Sequence, residues 1–273
     1  MVIDHKESAT VLIKKAMSFS PKYMQLVVFA ENNTDIVQVL TEEVESIVDA
    51  IVGRKSKIKI TTDTVNTDKE KTQRIMALID ETPVDSVIVR RTKILDENHV
   101  FEFEKGLLKS LKHTSLLLLS DKNWNDELNI LGTLDIVDDN AQQSDLNTLV
   151  FDEATLIASK LQAQLHLMSV IAVSSVATEL DIVETSEVLA KKGKAVKTKL
   201  SDYVSAKNPE HDFLIHVTAG VPSKEIPSVA KKVKADLVVL GNVGRTGLKG
   251  LVIGNTAEKI LQRLAVDVLL VKQ

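Results

Sequence analysis

The chain has 273 residues, 44% apolar and 26% charged, with a net charge of −4 at neutral pH and no cysteine. That length suits two domains better than one, and the missing thiols exclude disulfides, thiolate metal sites and cysteine nucleophiles. An acidic balance with only 3% aromatic residues disfavours both a basic nucleic-acid face and a base-stacking platform.

Strand and helix signals alternate from the start. Met1–Asp4 predicts a short strand, followed by Ala9, Leu12, Ile13, Ala16 and Met17 at helical spacing. Met24–Ala30 is a second strand, Ile36–Val52 a helix ended by Gly53, and Lys57–Thr62 a third strand. A helix over Lys71–Ile79, a strand over Asp85–Val89, a helix over Phe101–Leu111 and a strand over Ser115–Leu119 complete the first cycle. Asp121–Glu127 is polar and predicts a linker, with the lone Trp124 packing it down. The cycle then repeats: a strand at Asn129–Asp135, a helix from Leu146 to Leu161 and a strand at Gln164–Ile171. A helix over about 185–204, a strand at Phe213–Val217 and a helix at Lys224–Val233 follow. Asp236–Leu240, a glycine-rich loop, a helix over Ala257–Leu264 and a strand at Val266–Val271 close the chain. Such alternation predicts parallel, doubly wound sheets of the α/β class, with boundaries at 1–122 and 123–273. Residues 1–30 lack a signal-peptide core. With no apolar run near the roughly 18 residues that span a bilayer, a cytoplasmic protein without a membrane or nucleic-acid partner is expected.

The two halves form an internal repeat. Asp4 and Asp135 each end a first strand, and Asp85-Ser-Val-Ile-Val aligns with Asp236-Leu-Val-Val-Leu. The halves differ after the fourth strand. The rear half has Gly241-Asn-Val-Gly244-Arg245-Thr-Gly247-Leu-Lys249-Gly250 and, further on, Gly254-Asn255-Thr256. The front half has Arg90-Arg91 and no glycine between Gly53 and Gly106. Glycines let a backbone approach a ligand closely, and a helix start with bare amides is a phosphate site; Arg245 and Lys249 add positive charge. No GxxxxGK[ST] or early GxGxxG occurs, which removes the P-loop and the dinucleotide fingerprint. Arg90-Arg91 reads as a solvated loop pair. His211 and His216 have no metal-ligand spacing, and no GxSxG elbow or HExxH is present.

Gly241, Gly244 and Gly254 stand as G-x2-G-x9-G, and Val217-Thr-Ala-Gly220-Val-Pro222 lies upstream. Together with Ala235-Asp236-Leu-Val-Val-Leu and Gly254-Asn-Thr-Ala-Glu258, this pattern resembles the universal stress protein family, in particular its tandem, E-type members. The resemblance implies two five-stranded, adenine nucleotide alpha hydrolase-like domains. It implies a non-enzymatic stress-response protein that binds ATP, with Mg²⁺, in its rear domain, and a front domain that has lost the loop. It implicates Asp135 and the main chain near Val170 for adenine and ribose. Gly241, Gly244, Arg245, Gly254, Asn255 and Thr256 would serve the phosphates. Asn255 stands where the family pattern has Ser or Thr, and it also reads as a plain helix cap, with Glu258 at capping-box spacing. Asp135 also reads as a turn stabiliser.

Two alternatives stay open on sequence: a scaffold or binder of a non-nucleotide ligand, and an ATP pyrophosphatase or nucleotidyl transferase of similar fold. The second needs a general base or metal ligands near the loop, which the sequence does not display; weak ATP hydrolysis remains compatible. The apolar fifth strands, Leu116–Leu119 and Val268–Val271, are edge hazards unless covered. They predict an intramolecular pseudo-dimer or a homodimer.

Overall fold

The computed structural model describes residues 1–3, 6–30, 34–52, 58–65, 67–91, 102–138, 140–174, 176, 183–208, 213–242 and 255–272, without the side chains of 6–8, 30, 34–37 and 255. The chain divides between Asn123 and Trp124 into a front and a rear unit.

The front unit runs β1 (Val2–Ile3), α1 (Lys6–Ser18), β2 (Met24–Ala30), α2 (Thr34–Val52), β3 (Ile58–Thr64), α3 (Asp68–Glu81), β4 (Ser86–Arg90), α4 (Glu102–Ser110) and β5 (Ser115–Leu119). All its ladders are parallel, pairing β1 with β2, β2 with β3, and β4 with β5. Ile3, Leu26 and Val28 bury themselves against Ile13 of α1 and Val44 and Val48 of α2, and Ile88 of β4 packs on the same core. Helix α3 starts three residues before the apolar spacing suggests. Thr67 accepts the Glu70 amide and Glu70 reaches back to the Thr67 amide, a reciprocal cap that satisfies two orphan donors.

One expectation fails here. Arg90 and Arg91 are not a solvated pair: Arg90 ends β4 and lies 3.5 Å from the Asp121 carboxylate, while Arg91 is buried with its amide donating to the Leu119 carbonyl. Strand β4 extends further than its apolar residues, so both arginines stay in the ladder with β5.

The rear unit runs β6 (Asn129–Thr133), α5 (Ala141–Leu161), β7 (Gln164–Ala172), α6 (Thr185–Lys207), β8 (Leu214–Gly220), α7 (Pro222–Lys232), β9 (Leu237–Asn242), α8 (Asn255–Arg263) and β10 (Asp267–Lys272). Its strands lie in the order β10-β9-β6-β7-β8, all parallel. Parallel strands covered on both faces need continuous apolar runs. Val238, Val239 and Leu240 and Val268, Leu269 and Leu270 supply them, all at most 4% exposed. Asn140 caps α5 through the Gln143 amide, so this helix too begins earlier than its apolar stripe. At the end of β8, Gly220 has φ +155° and a Cβ there would sit 2.7 Å from Glu225 Oε1. Pro222 then opens α7, where its missing N–H is no loss.

Two buried carboxylates hold the lower edge of this sheet. Asp236 Oδ1 accepts from the Asn125 amide and side chain, each at 2.9 Å, and Oδ2 from the Asn129 amide at 2.9 Å. Asp267 Oδ2 accepts from Trp124 Nε1 at 2.7 Å. The polar linker is thereby tied to β6, β9 and β10. Replacing Asp236 with Ala leaves three donors without that acceptor. The expected loss is about 2–4 kcal/mol, read as a lower urea midpoint of the full chain.

Candidate functional site

Strand order reverses between β6 and β9: from β6 the chain winds outward through β7 and β8, then returns to β9 on the other side. A crevice forms at the carboxyl ends of strands at such a point. The β6–β9 ladder pairs Ile130 with Leu237, Leu131 with Val238 and Gly132 with Val239. It therefore brings the chain leaving β6 and the chain leaving β9 to one end of the sheet.

Asp135 lies there, just beyond β6, and is exposed. Its Oδ1 accepts from the Val137 and Asp138 amides, both at 3.3 Å, so the carboxylate stabilises its own turn. The turn is held from below by Asn147, which is 3% exposed: its Oδ1 accepts the Asp135 amide at 2.9 Å and its Nδ2 donates to the Asp135 carbonyl at 2.8 Å. Asn147 was not singled out from the sequence. Its signal was an amide at i, i+3, i+4, i+7 spacing with the buried Val150, Phe151 and Ala154.

Val170 sits on β7, paired with Thr218 of β8. The Met168 carbonyl accepts the Leu134 amide at 2.9 Å, and beyond it the Ile136 amide donates to Ser169 Oγ at 3.4 Å. Peptide groups alternate in direction along a strand, so Val170 presents its own N–H and C=O to the β6 side, one pleat beyond Met168.

Gly241 is placed differently from expectation. It lies within β9, paired with Val271, not in the loop beyond it. A Cβ there would sit 2.7 Å from Leu146 Cγ of α5, so close packing of helix on strand already requires glycine. The last rung pairs Asn242 with Lys272. Asn242 is 4% exposed, and its Oδ1 has no hydrogen-bond partner among the described residues. Burial lowers the Lys272 ammonium to about 8. Neither was anticipated, because nothing in the sequence says that β9 continues through its glycine.

Helix α8 begins at Asn255 itself, one residue too early for Asn255 to be its cap, and Thr256 is exposed in its first turn. Gly244, Arg245, Gly247, Lys249, Gly250 and Gly254, the side chain of Asn255, and also Asp4 and His211, lie outside the described residues.

A second polar cluster lies near the opposite end of β7 and β8. His166 Nδ1 and His216 Nε2 are 3.0 Å apart, the rings stack at 5.2 Å, and His166 Nε2 is 3.2 Å from Asn129 Oδ1. Burial lowers both histidines below 6.5, aided at His166 by His216 and at His216 by Lys232 and Lys197. One proton shared along the stack suits neutral rings. Among the described residues no group of three or more His, Asp or Glu is placed to hold a metal ion.

Two outcomes are expected. Gly241→Val destabilises the protein by about 1–3 kcal/mol through overpacking, and adding Leu146→Ala recovers part of the loss in a double-mutant cycle of thermal melts. The histidines bind protons less readily folded than unfolded. Their contribution is therefore neutral above pH 6.5 and destabilising as pH falls below it. The urea midpoint should drop between pH 7.5 and 5.5, with a smaller drop in the His166→Gln, His216→Gln double variant.

A model of the Universal stress protein family matches residues 137–272. A universal stress protein E homolog from Haemophilus influenzae is 28% identical over 163 residues, covering 58% of this chain and 52% of that protein. A universal stress protein from Methanocaldococcus jannaschii is 31% identical over 135 residues, covering 48% of this chain and 77% of its own length. The chain spans about half the length of the E-type relatives it matches. In fold, it superposes on a universal stress protein from Pseudomonas aeruginosa with a TM-score of 0.71 at 20% identity, over 95% of this chain and 87% of that one.

Proposed function

Because the chain belongs to the universal stress protein family, we propose that its rear unit binds an adenine nucleotide, ATP with Mg²⁺ carried on its phosphates, at the carboxyl ends of β6 and β9, and acts in the stress response without turning the ligand over. The observation that carries this reading is the adjacency of β6 and β9. It brings the chain leaving β6 towards Asp135 and the chain leaving β9 after Asn242 to the same end of the sheet. Asp135 and the β6-facing peptide of Val170 would take ribose and adenine. Gly241, Gly244, Arg245, Gly254, Asn255 and Thr256, with the amides that open α8, would take the phosphates. Asn242 would not serve the phosphates: its buried amide oxygen, without a partner among the described residues, suits a ligand N–H donor at the crevice floor, such as the amino group of the base.

In this reading the front unit, residues 1–122, keeps the fold and lacks the glycine loop, while residues 123–273 keep both. The protein works in the cytoplasm; no helix among the described residues is long and apolar enough to cross a membrane. The apolar fifth-strand segments, Leu116–Leu119 and Val268–Val271, are each covered by a like strand, from the same chain or from a second copy. An isolated 123–273 fragment that stays a well-behaved monomer would count against this.

Isothermal titration of the full chain with ATP and Mg²⁺ tests the central proposal. Saturable binding is expected, weakened about tenfold or more by Gly244→Val, since a tenfold change is only about 1.4 kcal/mol. Silence at millimolar nucleotide would overturn it. Asn255 in place of the family's Ser or Thr favours one other reading, a binder of a non-nucleotide ligand. Native mass spectrometry of gently purified protein separates the two by the mass of whatever co-purifies.

A further inference from the structure

The outer face of β8 carries a feature that the nucleotide reading does not use. A cleft of about 480 Å³ lies between α6 and α7 along this strand. Its size falls within the range of small-molecule sites. Its rim is cationic: Lys194 and Lys197 come from α6, Lys232 from α7, and no carboxylate is among its lining residues. Lys194 and Lys197 are one helical turn apart, where like charges repel. Neither they nor Lys232 makes an ion pair or hydrogen bond among the described residues, whereas Lys191 on the same helix has Glu187 at 3.2 Å.

The walls are mixed, with Leu189, Ile215, Val217 and Val229 as the apolar part beside His216 and Thr218. Leu189 is 38% exposed and offers apolar surface to the cleft. Gly193 stands in the middle of a 23-residue helix, where glycine costs about 1 kcal/mol relative to alanine. A Cβ at Gly193 would lie 2.9 Å from Leu189 Cδ1, so the glycine lets Leu189 lie along the wall. Thr218 also lines the cleft, and its buried hydroxyl has no partner among the described residues. His216 reports the local field: after burial, Lys232 and then Lys197 are what disfavour its protonation. His166 from β7 is its other titratable neighbour.

We propose that this cleft binds a small molecule with an anionic head, held by Lys194, Lys197 and Lys232, and an apolar body laid against Leu189 and Val229. The site is separate from the β6–β9 crevice and does not depend on nucleotide binding there. An anion between the lysines cancels the field that disfavours the imidazolium, so ligand binding raises the His216 pKa.

The test is histidine NMR on the full chain, titrated with hexyl phosphate, hexanoate and inorganic phosphate. Hexyl phosphate or hexanoate is expected to shift the His216 resonances saturably and to move its titration to higher pH. Inorganic phosphate should bind more weakly than hexyl phosphate because it lacks the apolar body. The stronger of the two hexyl ligands identifies the head group. A Lys197→Gln, Lys232→Gln variant should lose about tenfold or more in affinity while melting as the parent does, since exposed substitutions change stability little. Gly244→Val, which targets the other site, should bind as the parent does. No response to any of the three ligands up to about 10 mM, beyond the millimolar range of weak specific binding, would overturn the proposal. So would an undiminished response in the lysine variant.

Discussion

The rear unit depends on where two carboxylates are buried. Asp236, just before β9, and Asp267, the first residue of β10, are 8% and 1% exposed and between them accept hydrogen bonds from Trp124, Asn125 and Asn129. Charged groups out of water are tolerated only when their lone pairs are filled. The linker supplies the filling donors. The same bonds that satisfy Asp236 fix the start of β6 beside β9, and that neighbour relation sets what stands at the other end of both strands. The front unit shows the backbone part of this arrangement without the cluster: the Ser115 amide donates to the Asp85 carbonyl as the Asp267 amide does to the Asp236 carbonyl.

From that lower edge the sheet works as a ruler. Each parallel strand rises about 3.3 Å per residue, so the β6–β9 register determines which residues reach the upper edge together. Asp135 arrives there with its backbone clamped on both sides by one amide side chain, Asn147. Asn242 arrives with an acceptor that has no partner among the described residues. A rigid turn and a buried hydrogen-bonding group at the switch point are what a binding crevice requires. Gly241 serves that crevice indirectly, because its missing side chain lets α5 sit tightly on β9.

The other polar cluster sits lower on the sheet. His166 and His216 stack near the amino ends of β7 and β8, and burial lowers both below the usual histidine pKa. Lysines from the helices on either side of β8 gather at its outer face. The rear unit thus carries two chemically different places: the Asp135 turn and Asn242 at the switch point, and side-chain cations at the edge of the sheet.

Element type and order were legible in the sequence because apolar runs and helical spacing are local signals. The alternation of strand and helix read correctly along the chain, and so did the packing down of the single tryptophan, whose Nε1 reaches Asp267. The glycine pattern likewise pointed to the family, since its spacing is written in consecutive residues. What lay beyond reach depends on pairing across long separations. Whether β9 stops before Gly241 or passes through it is decided by Leu146, 95 residues earlier. That Arg90 and Arg91 stay in the ladder is decided by Leu119 and Asp121. The stacking of His166 on His216 and the convergence of Lys194, Lys197 and Lys232 arise from strand register and helix placement. Neither has a short-range signature, because a side chain's neighbours across a sheet are set by the fold and not by its position in the chain.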